Sequence, residues 1–184
     1  MTRAGYILAI DQGTTGTTAL LVEGSGRVVW QTSQEIEQIY PQPGWVEQDP
    51  DAIWRSQRDA ARAVLHETLT AEDRLLGIGI ANQRETTIVW ERETLTPIGP
   101  AIVWQCRRSA DACAELEAAH GSTIRARTGL VADAYFSGPK IAWLLDHVEG
   151  VDDPREEVFD VVKESFLEKM ERYLGEEFVE GEVP

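Results

Sequence analysis

The sequence predicts an α/β fold, a mixed sheet that begins as an antiparallel hairpin and carries flanking helices. Three observations predict it. Two apolar runs of strand character, residues 5–10 and 18–23, are joined by a Gly/Thr turn. A third strand-like run and then an amphipathic helical stretch follow. A nearly continuous apolar segment, Leu75 to Ala81, reads as a strand of the kind buried on both faces of a parallel sheet. A plain dinucleotide-binding unit would place a helix directly after the first glycine turn, whereas here a strand follows.

Taken in order, Tyr6 to Ile10 is the first strand and Thr18 to Glu23 the second. The stretch "GSGR" is a turn signal, and Arg27 to Gln38 alternates apolar and polar residues for part of its length. Three strands joined by short turns suggest an antiparallel meander. "YPQPGWVEQDP" is irregular, because its prolines forbid a long element. Asp49 followed by Pro50 is a helix start, a capping carboxylate before proline at the first helical position. From Asp51 to Leu69, residues Ile53, Trp54, Ala60, Ala61, Val64 and Leu65 share an apolar face at helical period. Within Leu75 to Ala81, the glycines imply close packing by a helix. Thr86 to Trp90 and the shorter Ala101 to Trp104 read as strands. Residues 107–119 read as a helix with Ala110, Cys113, Ala114 and Leu116 inward, and Pro139 to Val148 as another.

Charge divides the chain near residue 150. The formal net charge is −15, and residues 151–184 alone carry 12 acids against 4 bases. The expected organisation is therefore a domain over 1–150 and an acidic, amphipathic helical tail over 151–184. Val158, Val161, Val162, Phe166, Met170, Tyr173 and Leu174 would form the tail's apolar stripe, and Gly175 would end its helix. Such a stripe suits either covering of exposed core or self-association, so a homo-oligomer is among the expected partners.

An apolar content of 42% with six tryptophans places the chain among globular proteins rather than disordered ones. The acidic balance argues against nonspecific binding to nucleic acid or an anionic membrane. No apolar run reaches the roughly 18 residues of a membrane span, and no signal-like segment opens the chain. Cys106 and Cys113 are too few for a disulfide framework and form no zinc-type pair. A cytoplasmic protein with two free thiols is expected.

Chemistry concentrates in two stretches and a few single residues. In "DQGTTGTT", glycines let the backbone turn tightly and bring N–H groups towards phosphate oxygens. The hydroxyls of Thr14, Thr15 and Thr17 add donors, and Asp11 at the strand end faces a position suited to Mg²⁺. The same residues also suit a polar hairpin turn with no ligand. In "ANQRETT", Asn82, Gln83, Arg84 and Glu85 stand between two apolar runs. An arginine fork beside a carboxylate can hold a neutral polyol, donating to its oxygens and accepting its hydroxyl protons. A solvated turn with a local ion pair is the plainer alternative. Trp104 and Tyr135 suit pocket walls or ordinary core. Lys140 suits a phosphate contact, but reads rather as a solvated lysine at a helix start. His66, His120 and His147 show no metal-ligand spacing.

Together, "AIDQGTTGTT", "IEQIYPQPGWVEQDP", "IGIANQRETTIVWE", "AIVWQCRR" and "TGLVADAYFSGPKIAWLLDHVEG" resemble the N-terminal part of glycerol kinases. These are carbohydrate kinases of the actin-like, ribonuclease-H-like ATPase superfamily. The resemblance runs in order from about Tyr6 to Gly150, and "NQRETTIVW" and "PGWVEQDP" are its specific motifs. It implies a ribonuclease-H-like mixed sheet, incomplete in this chain, and transfer of the ATP γ-phosphoryl group to a terminal hydroxyl of glycerol. It implies that Asp11 lies near the Mg²⁺–nucleotide phosphates and that Thr14, Thr15 and Gly16 hold the terminal phosphates. It implies that Arg84, Glu85 and Tyr135 bond glycerol hydroxyls while Trp104 packs on the carbon skeleton. ATP, Mg²⁺ and glycerol are the implied cofactors and partner.

Two departures follow from the same resemblance. Thr18 stands where the family usually has an arginine on the nucleotide phosphate, and a charge-assisted bond of that kind contributes about 1.5–3 kcal/mol. The family's second, adenosine-binding lobe and its catalytic aspartate lie beyond residue 184, so no catalytic base is assigned here. A truncated, non-catalytic polyol-binding or interaction domain is the alternative expectation.

Overall fold

The computed structural model describes residues 5–68, 73–92 and 94–148. The expected tail over 151–184 lies outside the described residues. The described chain forms two compact units. The first holds residues 5–37 and Asp51–Gln83, and the second holds Gln38–Pro50 and residues 84–148.

In the first unit, β1 (Gly5–Gln12), β2 (Gly16–Glu23), β3 (Val28–Glu35) and β5 (Arg74–Asn82) form one sheet in the order β3-β2-β1-β5. The β1–β2 and β2–β3 pairs are antiparallel, and β1–β5 is parallel. This is the expected meander followed by a parallel strand. The parallel pairing requires a crossover, which α1 (Pro50–Thr68) provides. Its start at Pro50 matches the Asp-Pro signal.

Strand alternation decides which face of the sheet is inside. Leu8, Ile10, Ala19 and Leu21 are buried and pack with Ala60, Ala61 and Val64 of α1. The small alanines let the helix approach the sheet, and branched residues fill the space between. Polar groups on this face are paired: the buried Thr17 hydroxyl meets Ser56 Oγ at 2.7 Å. The opposite face carries Ile7 and Asp11, both exposed.

The segment Leu75 to Ala81 departs from its expected double burial. Its strand lies at the sheet edge, and Leu76 is 62% exposed and Ile78 36%. A continuous apolar run reports what a strand is built to pack against. Among the described residues, no element covers its outer face or pairs with its free edge.

The second unit contains β4 (Glu47–Gln48), β6 (Ala101–Ile102), α2 (Ala110–Thr128) and α3 (Ser137–His147). The short β4 and β6 pair antiparallel. The expected strand Thr86 to Trp90 is reduced to isolated bridges, Thr87 to Ile102 and Trp90 to Pro97. A two-residue partner strand offers too few ladder positions to sustain a longer one.

Helix α2 starts later and runs further than its sequence pattern suggests. It ends on Gly129, whose φ of 73° is left-handed and whose N–H bonds the Arg125 carbonyl. Only the inward placement of Cys113 holds firmly: Ala114 and Leu116 are exposed.

The core of this unit joins Val46, Ile102, Val103, Cys106 and Leu144 with Trp45, Trp104 and Trp143 around them. Arg108 lies inside it. Its guanidinium sits 4.0 Å from the Trp45 ring centroid and 4.6 Å from that of Trp143, and bonds Glu47 Oε1 at 2.6 Å. Both cysteines are buried and free, as expected.

Candidate functional site

The Gly/Thr turn belongs to the first unit. Its amide Gly13 N–H is spent inside the turn on the Gly16 carbonyl at 2.8 Å, and Ile36 N–H donates to the Thr15 carbonyl at 3.0 Å. Gln12 Nε2 donates to the Gly13 carbonyl at 2.7 Å. The turn is therefore held rigid from both sides. Gly16 is needed for close approach: a Cβ there would stand 2.5 Å from the Gln34 carbonyl oxygen. Since that atom is backbone, the strand itself would have to shift.

Asp11 is exposed at the end of β1. Thr18 is its direct cross-strand partner, and Ser33 is the partner of Thr18. Directly opposed residues share a face, so Asp11, Thr18 and Ser33 form a row. Thr18 Oγ1 lies 2.9 Å from Ser33 Oγ. Thr15 is exposed and Thr14 half-buried at the tip. The turn presents a carboxylate and hydroxyls, with no cation from Thr18. Among the described residues, no group of three or more His, Cys, Asp or Glu side chains could hold a metal alone. A single exposed carboxylate fits Mg²⁺ only in the manner usual for that ion, with phosphates and waters completing the shell.

Arg84, Glu85, Trp104 and Tyr135 all belong to the second unit. Arg84 and Glu85 form a turn at its start, with Arg84 exposed and Glu85 half-buried. Glu85 has φ of 66°. For a non-glycine residue this left-handed geometry costs about 1–2 kcal/mol, so surrounding contacts must impose it. One such contact is long-range. Glu85 Oε2 accepts both the Ser137 N–H and the Ser137 hydroxyl, each at 2.8 Å. Phe136, the residue before α3, caps nothing with its own side chain. A carboxylate 52 residues away thus satisfies the helix's first turn, where negative charge is favoured.

Tyr135 is fixed at three points. Its N–H donates to Asp133 Oδ1 at 2.8 Å, and its carbonyl accepts from Lys140 Nζ at 2.5 Å. Its ring meets Trp104 edge-on, with centroids 5.8 Å apart, and Phe136 at 5.2 Å. Trp104 in turn is tied to the Arg84–Glu85 turn, since its backbone N–H donates to Thr86 Oγ1 at 3.3 Å. Asp133 is itself held by Arg107 at 2.8 Å, and that guanidinium, with the Tyr135 N–H, keeps its carboxyl below the usual range.

Lys140 overturns its reading as a solvated lysine. It is fully buried, and its ammonium bonds the carbonyls of Ala134, Tyr135 and Phe136. Burial lowers its pKa to about 8, against the opposing pull of Glu85. It is a structural clamp on the loop that carries Tyr135. Together with Ser137 it is the part of this cluster that residue-by-residue reading missed. The signal was the compact "FSGPK", whose serine reaches Glu85 and whose lysine reaches the 134–136 carbonyls only once α3 is formed.

Glu85, Trp104 and Tyr135 are thus linked within one unit through Thr86, Ser137 and the 133–136 loop, and the exposed Arg84 precedes Glu85 in the same turn. The four nucleotide-side residues share the first unit's turn.

Residues 6–171 match the N-terminal domain of the FGGY family of carbohydrate kinases. The chain belongs to this family. Among curated relatives, it is 55% identical over 155 residues to a glycerol kinase of Symbiobacterium thermophilum, covering 83% of this chain and 31% of that protein. It is 52% identical over 152 residues to glycerol kinase 2 of Thermotoga maritima, covering 82% and 31% respectively. The chain thus spans about a third of the length of the curated relatives it matches.

Among solved structures, a glycerol kinase of Plasmodium falciparum with ADP superposes with a TM-score of 0.72 at 32% identity, covering 81% of this chain and 30% of that one. A xylulose kinase from Rhodospirillum rubrum gives 0.71 at 26%, covering 77% and 30%. The fold is the actin-like, ribonuclease-H-like kinase fold that the resemblance implied, and its meander and parallel strand fit the mixed α/β sheet read from the sequence. Among the described residues, no helix is long and apolar enough to cross a membrane.

Proposed function

We propose that this chain supplies the polyol-binding residues and the phosphate turn of a kinase that transfers the γ-phosphoryl group of ATP to a terminal hydroxyl of glycerol. What supports this reading is the linkage of Glu85, Trp104 and Tyr135 in one unit through Thr86, Ser137 and the edge-on ring pair, with the exposed Arg84 next to Glu85 in the chain. Arg84 is exposed and offers a donor fork to hydroxyl oxygens. Glu85 accepts hydroxyl protons through the oxygen that Ser137 does not occupy. The Trp104 indole packs against the carbon skeleton, and the edge-on Tyr135 brings a hydroxyl to the same wall.

Phosphoryl transfer chiefly requires positioning and charge neutralisation. In the first unit, the rigid turn, the Thr14 and Thr15 hydroxyls and Gly16 would receive the nucleotide's terminal phosphates. Asp11 would hold Mg²⁺ through one carboxylate, and the ion would neutralise phosphate charge when bound. Thr18 bonds Ser33 and brings no cation, so phosphate affinity here depends more heavily on the metal.

A second reading is a polyol-binding domain without turnover. It is favoured by Glu85, one of whose carboxylate oxygens is already taken up by the Ser137 N–H and hydroxyl, an arrangement suited to holding a ligand. ATP-dependent formation of glycerol 3-phosphate by the purified chain separates the two. The kinase reading expects turnover that falls at least tenfold in Arg84→Ala, in keeping with loss of one charge-assisted bond. Saturable glycerol binding without any turnover would establish the second reading instead.

A further inference from the structure

We infer that Ser137 is a positioning residue of the polyol site, which dictates that Glu85 meets its ligand through Oε1 alone. The inference rests on the polyol reading above. Glu85 has two carboxylate oxygens, and Ser137 claims one of them with both its N–H and its hydroxyl at 2.8 Å. Two donors converging on one oxygen fix the rotation of the carboxylate as well as its distance. The backbone beneath it is equally constrained, because Glu85 adopts a left-handed φ of 66°. An unheld glutamate on such a turn would sample several rotamers.

The donors themselves are anchored. Lys140 gathers the carbonyls of Ala134, Tyr135 and Phe136, the three residues immediately before Ser137. The same buried ammonium therefore fixes the backbone of Tyr135 and the place where α3 begins. Glu85 and Tyr135 are thereby held in one frame. Preorganisation of this kind raises affinity by removing the ordering cost at binding.

Glycerol affinity of the 184-residue chain tests this, read from the indole N–H signal of Trp104 with Trp104→Phe for assignment. Ser137→Ala keeps the backbone donor and a good helix former, so the fold should persist and its melting temperature should stay close to the parent's. The expected result is a dissociation constant raised about tenfold, with Ser137→Thr restoring it to within about threefold. Unchanged affinity in Ser137→Ala, alongside lost binding in Glu85→Gln, would overturn the positioning role and leave the polyol reading standing. Failure of Ser137→Thr to rescue would likewise overturn it. No saturable signal in the parent chain, or full binding by Glu85→Gln, would instead overturn the polyol reading and this inference with it.

Discussion

Replacing Arg108 by alanine is expected to destabilise the second unit by about 3–5 kcal/mol, the range for breaking a buried ion pair from one side. The Arg108 side chain is 1% exposed and that of its partner Glu47 13%. Alanine would leave the Glu47 carboxylate almost dry and unpaired. It would also leave a gap beside Trp45 and Trp143, whose ring centroids lie 5.2 Å apart edge-on with the guanidinium against both rings. Arg108→Lys should recover less than half of the loss, since an ammonium keeps the charge but neither stacks nor forks. Urea unfolding followed by near-ultraviolet circular dichroism reads both, because the packed tryptophans dominate that signal. A double variant with Glu47→Gln should be less damaging than the two single losses added together, because no carboxylate is then stranded.

Lys140→Met is expected to cost about 2–3 kcal/mol, and its pH dependence is more telling than its size. Three carbonyls lose a donor, each worth about 1–3 kcal/mol if left dry. Two opposing effects reduce the sum. The Tyr135 and Phe136 residues are only half-buried, so water can reach them, and methionine carries no desolvation penalty.

The titration has a definite sign. The folded pKa of about 8 lies below the ordinary 10.5, so the unfolded chain binds more protons between those values. The parent's stability relative to Lys140→Met should be smallest below pH 8 and should grow as pH rises towards 10.5. Thermal unfolding of both chains across pH 7 to about 10.5 checks it. A gap that shrinks over that interval would mean that the ammonium's bonds to the carbonyls outweigh its burial.

The sheet was legible because its information is local. The Gly/Thr turn, the alternation of β1 and β2 and the Asp-Pro helix start each declare themselves within a few residues. Leu75 to Ala81 misleads for an equally physical reason: its composition suits burial on both faces, but it lies at an open edge. Thr86 to Trp90 has strand chemistry without a partner long enough to pair with.

In the candidate site, the motif residues were legible as types and the resemblance supplied their roles. Their supports were not. That Lys140 turns inward depends on three carbonyls converging after the loop closes, and that Glu85 caps α3 depends on a contact 52 residues away. Neither has a periodicity. The division of the described chain into two interleaved units is also invisible to composition, because each draws on separate stretches of sequence.

The most direct test of the polyol site is calorimetric titration of glycerol into the purified chain and into its Arg84→Ala variant. Saturable one-to-one binding by the parent and at least tenfold weaker binding by the variant are expected, with both melting at the same temperature. Equal affinity in the two chains, or no saturable heat in the parent, would contradict the polyol reading.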